Sequence, residues 1–429
     1  MKAHEMGHGQ PSRALVVGAG LAALRGAEAM RDTGFSGTLT IVGAEPYRPY
    51  DRPPLSKHVL TGQIAPDATT LPSSLGEDVD WHLGSPAVRL NRADRLVHLA
   101  GGTALPYDRL LIATGTRARP WPNPHEGRLA GVYTLRGRDD AIALRKALTS
   151  GPKRVLVIGG GLIGCEVASA CRQLSLPVTL VQPGPAPLAR VLGRYIGAIV
   201  GAMHEARGVD LRLGGEVEWL EEANGRLVRA HLVDGTAIEA DIAVMALGAV
   251  RNTEWLYGSG LSFDAGGVDC DADGYVLDED GCPDTAIAAA GDVARFPHPL
   301  YGGHRIAVDH WGHAVAQGVH AGRLLAGDKP ERNYAALPAF WSGQAGVTLK
   351  SVGLTEGADA MTIAQGDPAT GRFLALYGRE GRCIAAVSVD CGRWLPAYAE
   401  RIAAAAPFPP EETVIDRGGA LAILAPGFS

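Results

Sequence analysis

Two glycine-rich stretches constrain the fold of this chain more than any other feature. They are ALVVGAGLAALRGAE, residues 14–28, and RVLVIGGGLIGCEVA, residues 154–168. In this spacing the first glycine permits a tight turn, the second lets a pyrophosphate approach the backbone, and the third packs a helix against a strand. The N-terminus of that helix offers unpaired N–H groups and a positive dipole end to the phosphates. We therefore predict two dinucleotide-binding sites, one for a permanently held cofactor and one for a visiting cofactor.

The spacing also indicates which residues form the two turns. The second stretch has Gly159, Gly161 and Gly164, whereas the first has Gly18 and Gly20 with an alanine in the third place. Apolar runs predict strands at 13–17 and 155–158, and an apolar helical pattern follows each turn.

Composition excludes several classes of protein. The chain has 429 residues and a formal net charge of −6, which argues against a general nucleic-acid binder. Its length suffices for two to three domains. No apolar run approaches the roughly 18 residues that a membrane span requires. The first dozen residues lack an apolar signal core, so we expect a cytoplasmic protein without a membrane partner.

The cysteine pattern predicts neither a metal site nor a redox pair. None of the six cysteines belongs to a C-x-x-C pair or a zinc-type spacing. Cys165 and Cys171 share a predicted helix but point to different faces. We interpret the thiols as buried or chemically idle.

Polar residues follow several predicted strands. Glu45 comes after the strand 38–42, where a carboxylate normally holds an adenosine ribose. Asp292 follows the apolar run at 285–290, where it either bonds the polyol hydroxyls of a cofactor or caps the next helix. Thr114 and Gly115 end another predicted strand.

A proline-rich segment, PYRPYDRPPLSKHVL at 46–60, holds two cations. Its prolines predict a rigid extended conformation that is not helical before Ser56. Arg52 and Lys57 are either functional groups on this frame or solvated cations on an ordinary surface loop.

The second glycine motif departs from the usual pattern at its own second strand, 177–183. Gln182 stands where a ribose-binding acid is expected, and Arg190 is the nearest later cation. Gly248 marks the turn after a later strand. From about residue 329 the pattern changes to short alternating runs, which predict an antiparallel sheet closed by a helix at 393–404.

These stretches together resemble the FAD-dependent, pyridine-nucleotide-linked reductases that supply electrons to ferredoxins or rubredoxins. The resemblance covers nearly all of the chain. Its motifs are GAGLA, PYDRPPLSK, LLIATG, GGGLIGCEVA, AAAGDVARF, VDHW and AFWSGQAGV. The PYDRPPLSK motif is fairly specific to this branch, whereas the glycine motifs belong to the whole two-dinucleotide superfamily.

The resemblance implies roles for particular residues. Lys57 lies near N5 of the flavin with Glu166 beside it, and a cation there stabilises the charge of a reduced flavin. Trp311 and Trp341 lie near the flavin and the docking face, or simply pack in the core. The implied FAD contacts are Gly18, Gly20, Leu21, Ala22, Glu45, Arg52, Lys57, Val88, Thr114, Gly115, Arg136, Asp292 and Trp311. The implied nicotinamide-nucleotide contacts are Gly159, Gly161, Leu162, Ile163, Gly164, Gln182, Arg190 and Gly248.

The chain differs from the family pattern at several of these positions. Gln182 replaces the usual glutamate of NADH-using relatives, which predicts weakened discrimination with NADH somewhat ahead of NADPH; alternatively, the glutamine simply substitutes for the acid. His313, Ala316 and Gly343 differ from the residues common near the presumed docking face. His304, Arg305 and Lys350 are either a basic patch for an acidic ferredoxin or scattered surface cations.

We predict an α/β fold with two Rossmann-like dinucleotide-binding domains of the glutathione-reductase type and a small α+β C-terminal domain. The predicted boundaries are a loose tail at 1–12, an FAD domain at 13–118 and 247–328, an NAD(P) domain at 119–246 and an interface domain at 329–429. The RPPLSK neighbourhood carries no thiol, so electrons are expected to pass from NAD(P)H through FAD to a ferredoxin-type iron–sulfur protein that serves an oxygenase. Two alternatives stay open: a ferredoxin-independent flavin oxidoreductase acting on a small molecule, and a nicotinamide-responsive binding protein.

Overall fold

The computed structural model describes residues 12–328, 333–410 and 423–424. Residues 1–11, most of the predicted N-terminal tail, lie outside this range. The described residues form two compact units. The first unit takes its residues from Met1–Tyr50, Thr70–Thr116 and Arg251–Ala336, and the second from Asp51–Thr69, Arg117–Val250 and Leu337–Ser429. The predicted three-domain boundaries remain predictions.

The α-helices within the described residues include one after each glycine turn and one inside the predicted 393–404 range. They are α1 Leu21–Asp32, α2 His58–Thr61, α3 Arg138–Leu148, α4 Leu162–Gln173, α5 Ala189–Glu205, α6 Trp311–Leu325 and α7 Leu395–Ala403.

The strands occur in runs between these helices. The strands before α4 are β1 Arg13–Val17, β2 Thr38–Val42, β3 Asp80–His82, β4 Ala87–Asn91, β5 Leu96–Leu99, β6 Ala104–Pro106, β7 Arg109–Ile112, β8 Thr116–Ala118, β9 Val132–Thr134 and β10 Val155–Ile158. Those up to α6 are β11 Val178–Gln182, β12 Val209–Leu213, β13 Val217–Ala223, β14 Arg226–Leu232, β15 Ala237–Glu239, β16 Ile242–Met245, β17 Ala249–Arg251, β18 Phe263–Asp264, β19 Gly267–Asp269, β20 Tyr275–Leu277, β21 Pro283–Ala289, β22 Ala294–Pro297 and β23 Arg305–Ile306. The C-terminal strands are β24 Ala339–Gln344, β25 Val347–Gly353, β26 Ala360–Asp367, β27 Arg372–Arg379, β28 Arg382–Val389 and β29 Ile423–Leu424.

The first unit is built on a six-stranded sheet in the order β20-β21-β7-β1-β2-β3. Its neighbours from β21 to β3 are parallel, so their carboxyl ends meet at one edge. Side chains of β1 alternate between two cores, with Leu15 and Val17 in one and Ala14 and Val16 in the other. A sheet buried on both faces requires such continuous apolar strands, which explains why the sequence pattern located them.

The second unit contains a parallel sheet in the order β12-β11-β10-β16-β9 and a separate three-stranded sheet, β13-β14-β15. It also contains the C-terminal sheet, β24-β25-β28-β27-β26-β29, whose neighbours are antiparallel. The predicted α/β fold with two Rossmann-like regions and a C-terminal antiparallel sheet is therefore confirmed.

One local prediction is wrong. The segment before Lys57 contains a 3₁₀ helix at Pro53–Ser56 rather than an extended chain throughout. Proline is tolerated in the first helical turn, because no intrahelical acceptor needs its missing N–H there and its fixed φ suits the turn.

Gly193 interrupts α5 and explains how the C-terminal sheet is attached to this helix. Its φ of 77° and ψ of 156° are not helical, so a regular helix cannot supply partners to the carbonyls just before it. The Thr355 hydroxyl donates to the carbonyl oxygen of Val191 at 2.8 Å, and the Tyr377 hydroxyl donates to that of Leu192. A side chain from the β25–β26 connection and one from β27 therefore satisfy carbonyls that the helix break exposes.

We expect Tyr377→Phe to lower the free energy of unfolding by about 1–2 kcal/mol, since the buried Leu192 carbonyl loses its donor. Urea unfolding followed by far-UV circular dichroism measures this change. Tyr257→Phe is the matched control, because Tyr257 is 71% exposed. Equal stability of the two variants would contradict the assignment.

Candidate functional site

The turn after β1 fits a pyrophosphate. Gly18 has φ +122°, and a Cβ there would lie 2.0 Å from the carbonyl oxygen of Ala113. Gly20 is the N-cap of α1, and no side chain caps the helix there. A Cβ added at Gly20 would have no atom within 4 Å. Leu21 and Ala22 begin the helix. The turn therefore requires glycine at the first position and leaves open space at the second, as a phosphate cradle needs.

Glu45 lies just past the carboxyl end of β2, the next strand along this edge. Its carboxylate is half-buried and accepts a hydrogen bond from the Tyr50 hydroxyl. The predicted ribose carboxylate is therefore held in place by a neighbouring side chain. Val88, implied by the resemblance to lie near the same ligand, lies on β4 and is 51% exposed.

Asp292 lies past the carboxyl end of β21, in a 3₁₀ helix at Gly291–Val293. Its Oδ2 accepts a hydrogen bond of 3.1 Å from the Thr116 hydroxyl, which follows β7. The backbone N–H of Gly291 donates to Oε1 of Gln317 at 2.9 Å. The sequence analysis did not predict roles for Thr116 and Gln317. Thr116 could have been found, because it directly follows Thr114 and Gly115 at the same strand end.

The remaining predicted groups of this edge fall in the same unit. Thr114 donates its hydroxyl to the carbonyl oxygen of Asn252 at 2.8 Å. Trp311 is the first residue of α6 and is half-buried. Glu45, Thr114, Asp292 and the Gly18 turn all follow parallel strands of one sheet, so the structure brings them to its carboxyl edge.

The turn after β10 repeats the first cradle in the second unit. Gly159 has φ +108°, and a Cβ there would lie 2.4 Å from the carbonyl oxygen of Ala246. A Cβ at Gly164 would lie 1.9 Å from the carbonyl oxygen of Gly159, so this position also requires glycine. Gly161, the N-cap of α4, faces open space. Leu162 and Ile163 start α4, and Ile163 is 40% exposed.

Gln182 ends β11 and folds over this turn. Its Oε1 accepts a hydrogen bond of 2.7 Å from the backbone N–H of Gly160. A Cβ at Gly184 would lie 2.9 Å from its Nε2, so the amide nitrogen stands over that glycine. Arg190 is exposed in the first turn of α5. Gly248 has φ +90° and is also exposed.

Lys57 and Glu166 form an ion pair inside the second unit. The Nζ–Oε1 distance is 2.7 Å, and Glu166 is only 4% exposed. The Ser342 hydroxyl donates to Oε1 at 2.5 Å, and the Ser56 hydroxyl donates to Oε2. Lys57 also donates to the carbonyl oxygen of Pro53 at 3.1 Å. The carboxylate is thus held by three donors, as a buried polar group must be.

The sequence analysis missed both serines of this group. Ser56 directly precedes Lys57 in the RPPLSK segment, and Ser342 directly follows Trp341. Ser342 is fully buried on β24, whereas its neighbour Trp341 is 43% exposed. The alternation of a strand places these two adjacent residues on opposite faces.

Arg52 and Arg136 also lie in the second unit. Nη1 of Arg52 donates to the carbonyl oxygen of Arg136 at 2.9 Å. The backbone N–H of Arg136 donates to Asp140 at 2.8 Å. The two arginines are therefore brought together, and both belong to a different unit from Glu45 and Val88.

The cysteines form no disulfide, and all six are in the described part of the chain. Burial raises the pKa of Cys171 to about 12 and also raises that of Cys165, so both thiols are protonated. No group of three or more histidine, cysteine or acidic side chains in the described ranges is arranged to hold a metal ion. None of the helices described is long and apolar enough to cross a membrane.

Comparison with known proteins places this geometry in a family. Residues 12–318 match the pyridine nucleotide-disulphide oxidoreductase family, and residues 339–424 match the reductase C-terminal family. The chain is 36% identical over 411 residues to the ferredoxin–NAD(+) reductase component of the anthranilate 1,2-dioxygenase system of Burkholderia cepacia, covering 94% of this chain and 96% of the relative. It is 36% identical over 383 residues to a ferredoxin–NAD(P)(+) reductase of a Sphingomonas species, covering 88% of each.

A solved structure shares the fold over nearly the whole chain. The crystal structure of the covalent putidaredoxin reductase–putidaredoxin complex aligns with a TM-score of 0.86 at 30% identity, covering 92% of this chain and 94% of that one. With two phosphate cradles, a buried lysine–glutamate pair and these similarities together, the chain belongs to the pyridine nucleotide-disulphide oxidoreductase family, as the sequence motifs predicted.

Proposed function

We propose that this protein is an FAD-dependent NAD(P)H:ferredoxin oxidoreductase. The observation that carries the proposal is the presence of two separate cradles, at Gly18–Gly20 and Gly159–Gly161, each with a required glycine turn and an open helix N-terminus. One chain with two such cradles is suited to binding a resident dinucleotide and a second one that exchanges. The prediction of an oxidoreductase agrees with the names of the relatives.

FAD is assigned to the first cradle, and its isoalloxazine supplies the redox chemistry by accepting two electrons from a nicotinamide and releasing them singly. The glycine turn and α1 bind the pyrophosphate, Glu45 binds the adenosine ribose, and Asp292 binds the ribityl hydroxyls. Thr116 fixes the Asp292 carboxylate at 3.1 Å. By the resemblance, Arg52, Val88, Arg136 and Trp311 complete the contacts.

Lys57 acts by placing a positive charge where reduction adds negative charge. Its ammonium is oriented by Glu166 at 2.7 Å and by the Pro53 carbonyl at 3.1 Å. Both partners belong to regular elements, so the ammonium is held before the reaction begins. A preorganised charge costs no reorganisation energy when charge develops beside it.

The electron acceptor we propose is a ferredoxin-type iron–sulfur protein that serves an oxygenase. The Burkholderia relative is named as the reductase component of such a system, and the structural neighbour was solved as a complex with putidaredoxin. Exposed Trp341 on β24 and its cross-strand neighbour Lys350 on β25 contribute to the proposed docking face. A cytoplasmic location remains a prediction.

We further propose that Gln182 permits both nicotinamide nucleotides, with NADH ahead. Its oxygen already accepts from Gly160, so its amide nitrogen is the group left to meet a ribose. A nitrogen donor can bond either a 2′-hydroxyl oxygen or a 2′-phosphate. A glutamate in the same place would bond a hydroxyl but repel the phosphate. Arg190, exposed in the first turn of α5, is the nearest later cation in the chain.

The first test is anaerobic stopped-flow absorbance of the FAD-loaded protein mixed with NADH or with NADPH. We expect fast bleaching of the flavin band with both, and faster bleaching with NADH. No bleaching by either nucleotide with FAD bound would contradict the proposed function and favour the binding-protein alternative. Reduction of cytochrome c that does not depend on added ferredoxin would favour the small-molecule oxidoreductase.

Gln182→Glu is expected to lower the rate of reduction by subsaturating NADPH by about tenfold or more, since one added carboxylate faces the 2′-phosphate. The rate with NADH is expected to stay the same or rise. Gln173→Glu is the matched control, because it adds the same charge at an exposed position on α4. If the reduction rate fell equally with NADH and NADPH, the substitution would have damaged the site in general rather than repelled the 2′-phosphate.

Lys57→Ala is expected to slow flavin reduction by about tenfold or more while FAD retention changes far less, because the cation stabilises developing charge rather than the ground state. Single-turnover reduction and FAD release measured by fluorescence separate the two effects. Lys153→Ala removes an exposed lysine of the same unit and controls for net charge. Equal reduction rates in Lys57→Ala and the parent would refute the role of Lys57.

A further inference from the structure

A chain of buried hydrogen bonds extends from the Lys57–Glu166 pair into the protein interior. Ser342 Oγ lies 2.5 Å from Glu166 Oε1, Gln344 Nε2 lies 2.8 Å from Ser342 Oγ, and His204 Nε2 lies 3.0 Å from Gln344 Oε1. Ser342 and Gln344 are alternate residues of β24 and share its inner face, and His204 is on α5. All of these residues belong to the second unit.

In this series of hydrogen bonds, every donor points toward Glu166. A carboxylate can only accept, so the Ser342 hydroxyl must donate to Glu166. The Ser342 oxygen then accepts from the Gln344 amide nitrogen, which leaves the Gln344 oxygen to accept from Nε2–H of His204. The tautomer of His204 is therefore fixed, with its proton on Nε2. Consistently, Nδ1 of His204 is buried and has no hydrogen-bond partner among the described residues, as suits a nitrogen that carries no hydrogen.

Because these hydrogen-bonded side chains are buried, the loss of any one hydrogen bond between them is energetically costly. Glu166 is 4% exposed, Ser342 is fully buried, and Gln344 and His204 are each 2% exposed. Water is not available to replace a missing donor at these positions, so each lost bond leaves an unsatisfied group. Burial also lowers the pKa of His204, which keeps the imidazole neutral and adds no competing positive charge beside the pair.

We propose that Gln344 and His204 are positioning residues for the Lys57–Glu166 pair, acting through Ser342. Their aligned donors polarise the Ser342 hydroxyl toward Oε1, which holds the Glu166 carboxylate in one orientation. The carboxylate in turn fixes the ammonium of Lys57. This inference rests on the proposed function, because it assigns the ammonium a role in flavin reduction.

A purely structural role for the same residues makes a different prediction. If Gln344 only contributed to the stability of the C-terminal sheet, its replacement would lower stability without changing the flavin. Gln365 provides the comparison, since it is also fully buried in this sheet, on β26, and donates to the Tyr398 hydroxyl at 2.9 Å.

The decisive experiment is a double-mutant cycle on the FAD-loaded protein. Gln344→Leu is made in the parent and in the Glu166→Gln background, and the flavin midpoint potential is measured by anaerobic dye equilibration. We expect Gln344→Leu to lower the potential of the parent and to slow its reduction by NADH about fivefold to tenfold, the scale of one hydrogen bond to a charged group. In the Glu166→Gln background the same change is expected to have no effect on the potential. Gln365→Leu is expected to leave the potential of the parent unchanged.

The His204 variants test the far end of the chain. His204→Gln retains a donor to Gln344 and is expected to keep the potential of the parent, whereas His204→Leu is expected to reproduce Gln344→Leu. In ¹⁵N-histidine-labelled parent protein, the His204 signal, assigned by its loss in His204→Gln, is expected to show the Nε2–H tautomer.

The outcomes separate this inference from the proposed function. Equal shifts of the potential from Gln344→Leu in both backgrounds, or an Nδ1–H tautomer of His204, would overturn the positioning role even if the parent is reduced rapidly. A parent that holds FAD but is not reduced by NADH or NADPH would instead overturn the proposed function. If Gln344→Leu does not fold, the comparison of His204→Gln with His204→Leu carries the same test.

Discussion

The interaction on which the proposed chemistry depends is the ion pair between Lys57 and the buried carboxylate of Glu166. A carboxylate removed from water is costly unless opposite charge and hydrogen-bond donors replace the lost hydration. Here a lysine and two serine hydroxyls do so, with Lys57 and Ser56 from the proline-rich segment and Ser342 from β24. Because the carboxylate on α4 and its donors come from three different parts of the chain, the pair can form only when the second unit is folded. The charge that tunes the flavin in our proposal is therefore a property of tertiary structure.

The two nucleotide cradles depend on a different constraint, the geometry of parallel strands. In each sheet the strands end at a common edge, and the first turn must pass close to the backbone of the next strand. A Cβ at Gly18 or Gly159 would collide with a carbonyl oxygen of that neighbour, whereas Gly20 and Gly161 face open space. The first glycine of each motif thus serves the fold, and in our proposal the second serves the ligand. This division explains why one motif supports both structural and functional interpretation.

In our proposal, Gln182 sets the chemistry of the second cradle through an uncharged amide. The amide oxygen maintains the bond to Gly160 that a carboxylate oxygen would also make. The remaining group is a donor rather than a negatively charged acceptor, so under the proposed function it does not repel a 2′-phosphate. The relatives are named for NAD(+) in one case and NAD(P)(+) in another, so both nucleotides occur among proteins of this similarity.

The sequence by itself determined the local features of this protein. The apolar runs located β1, β2, β10 and their neighbours because buried parallel strands must be apolar on both faces, and glycine spacing located the cradles because only glycine fits the turns. Those same motifs, with PYDRPPLSK, were enough to indicate the family. The sequence failed where a proline segment formed a 3₁₀ turn, because proline is compatible with both conformations.

Only the tertiary structure decided which distant polar side chains meet. Ser342 and Gln344 lie about 180 residues from Glu166 in sequence, and hydrophobic periodicity carries no information about such pairs. Serine, glutamine and histidine are also ordinary surface residues, so their types gave no signal that they are buried. Their burial follows from the packing of β24 against α4, and that packing fixes the hydrogen bonds, the tautomer of His204 and the position of Lys57.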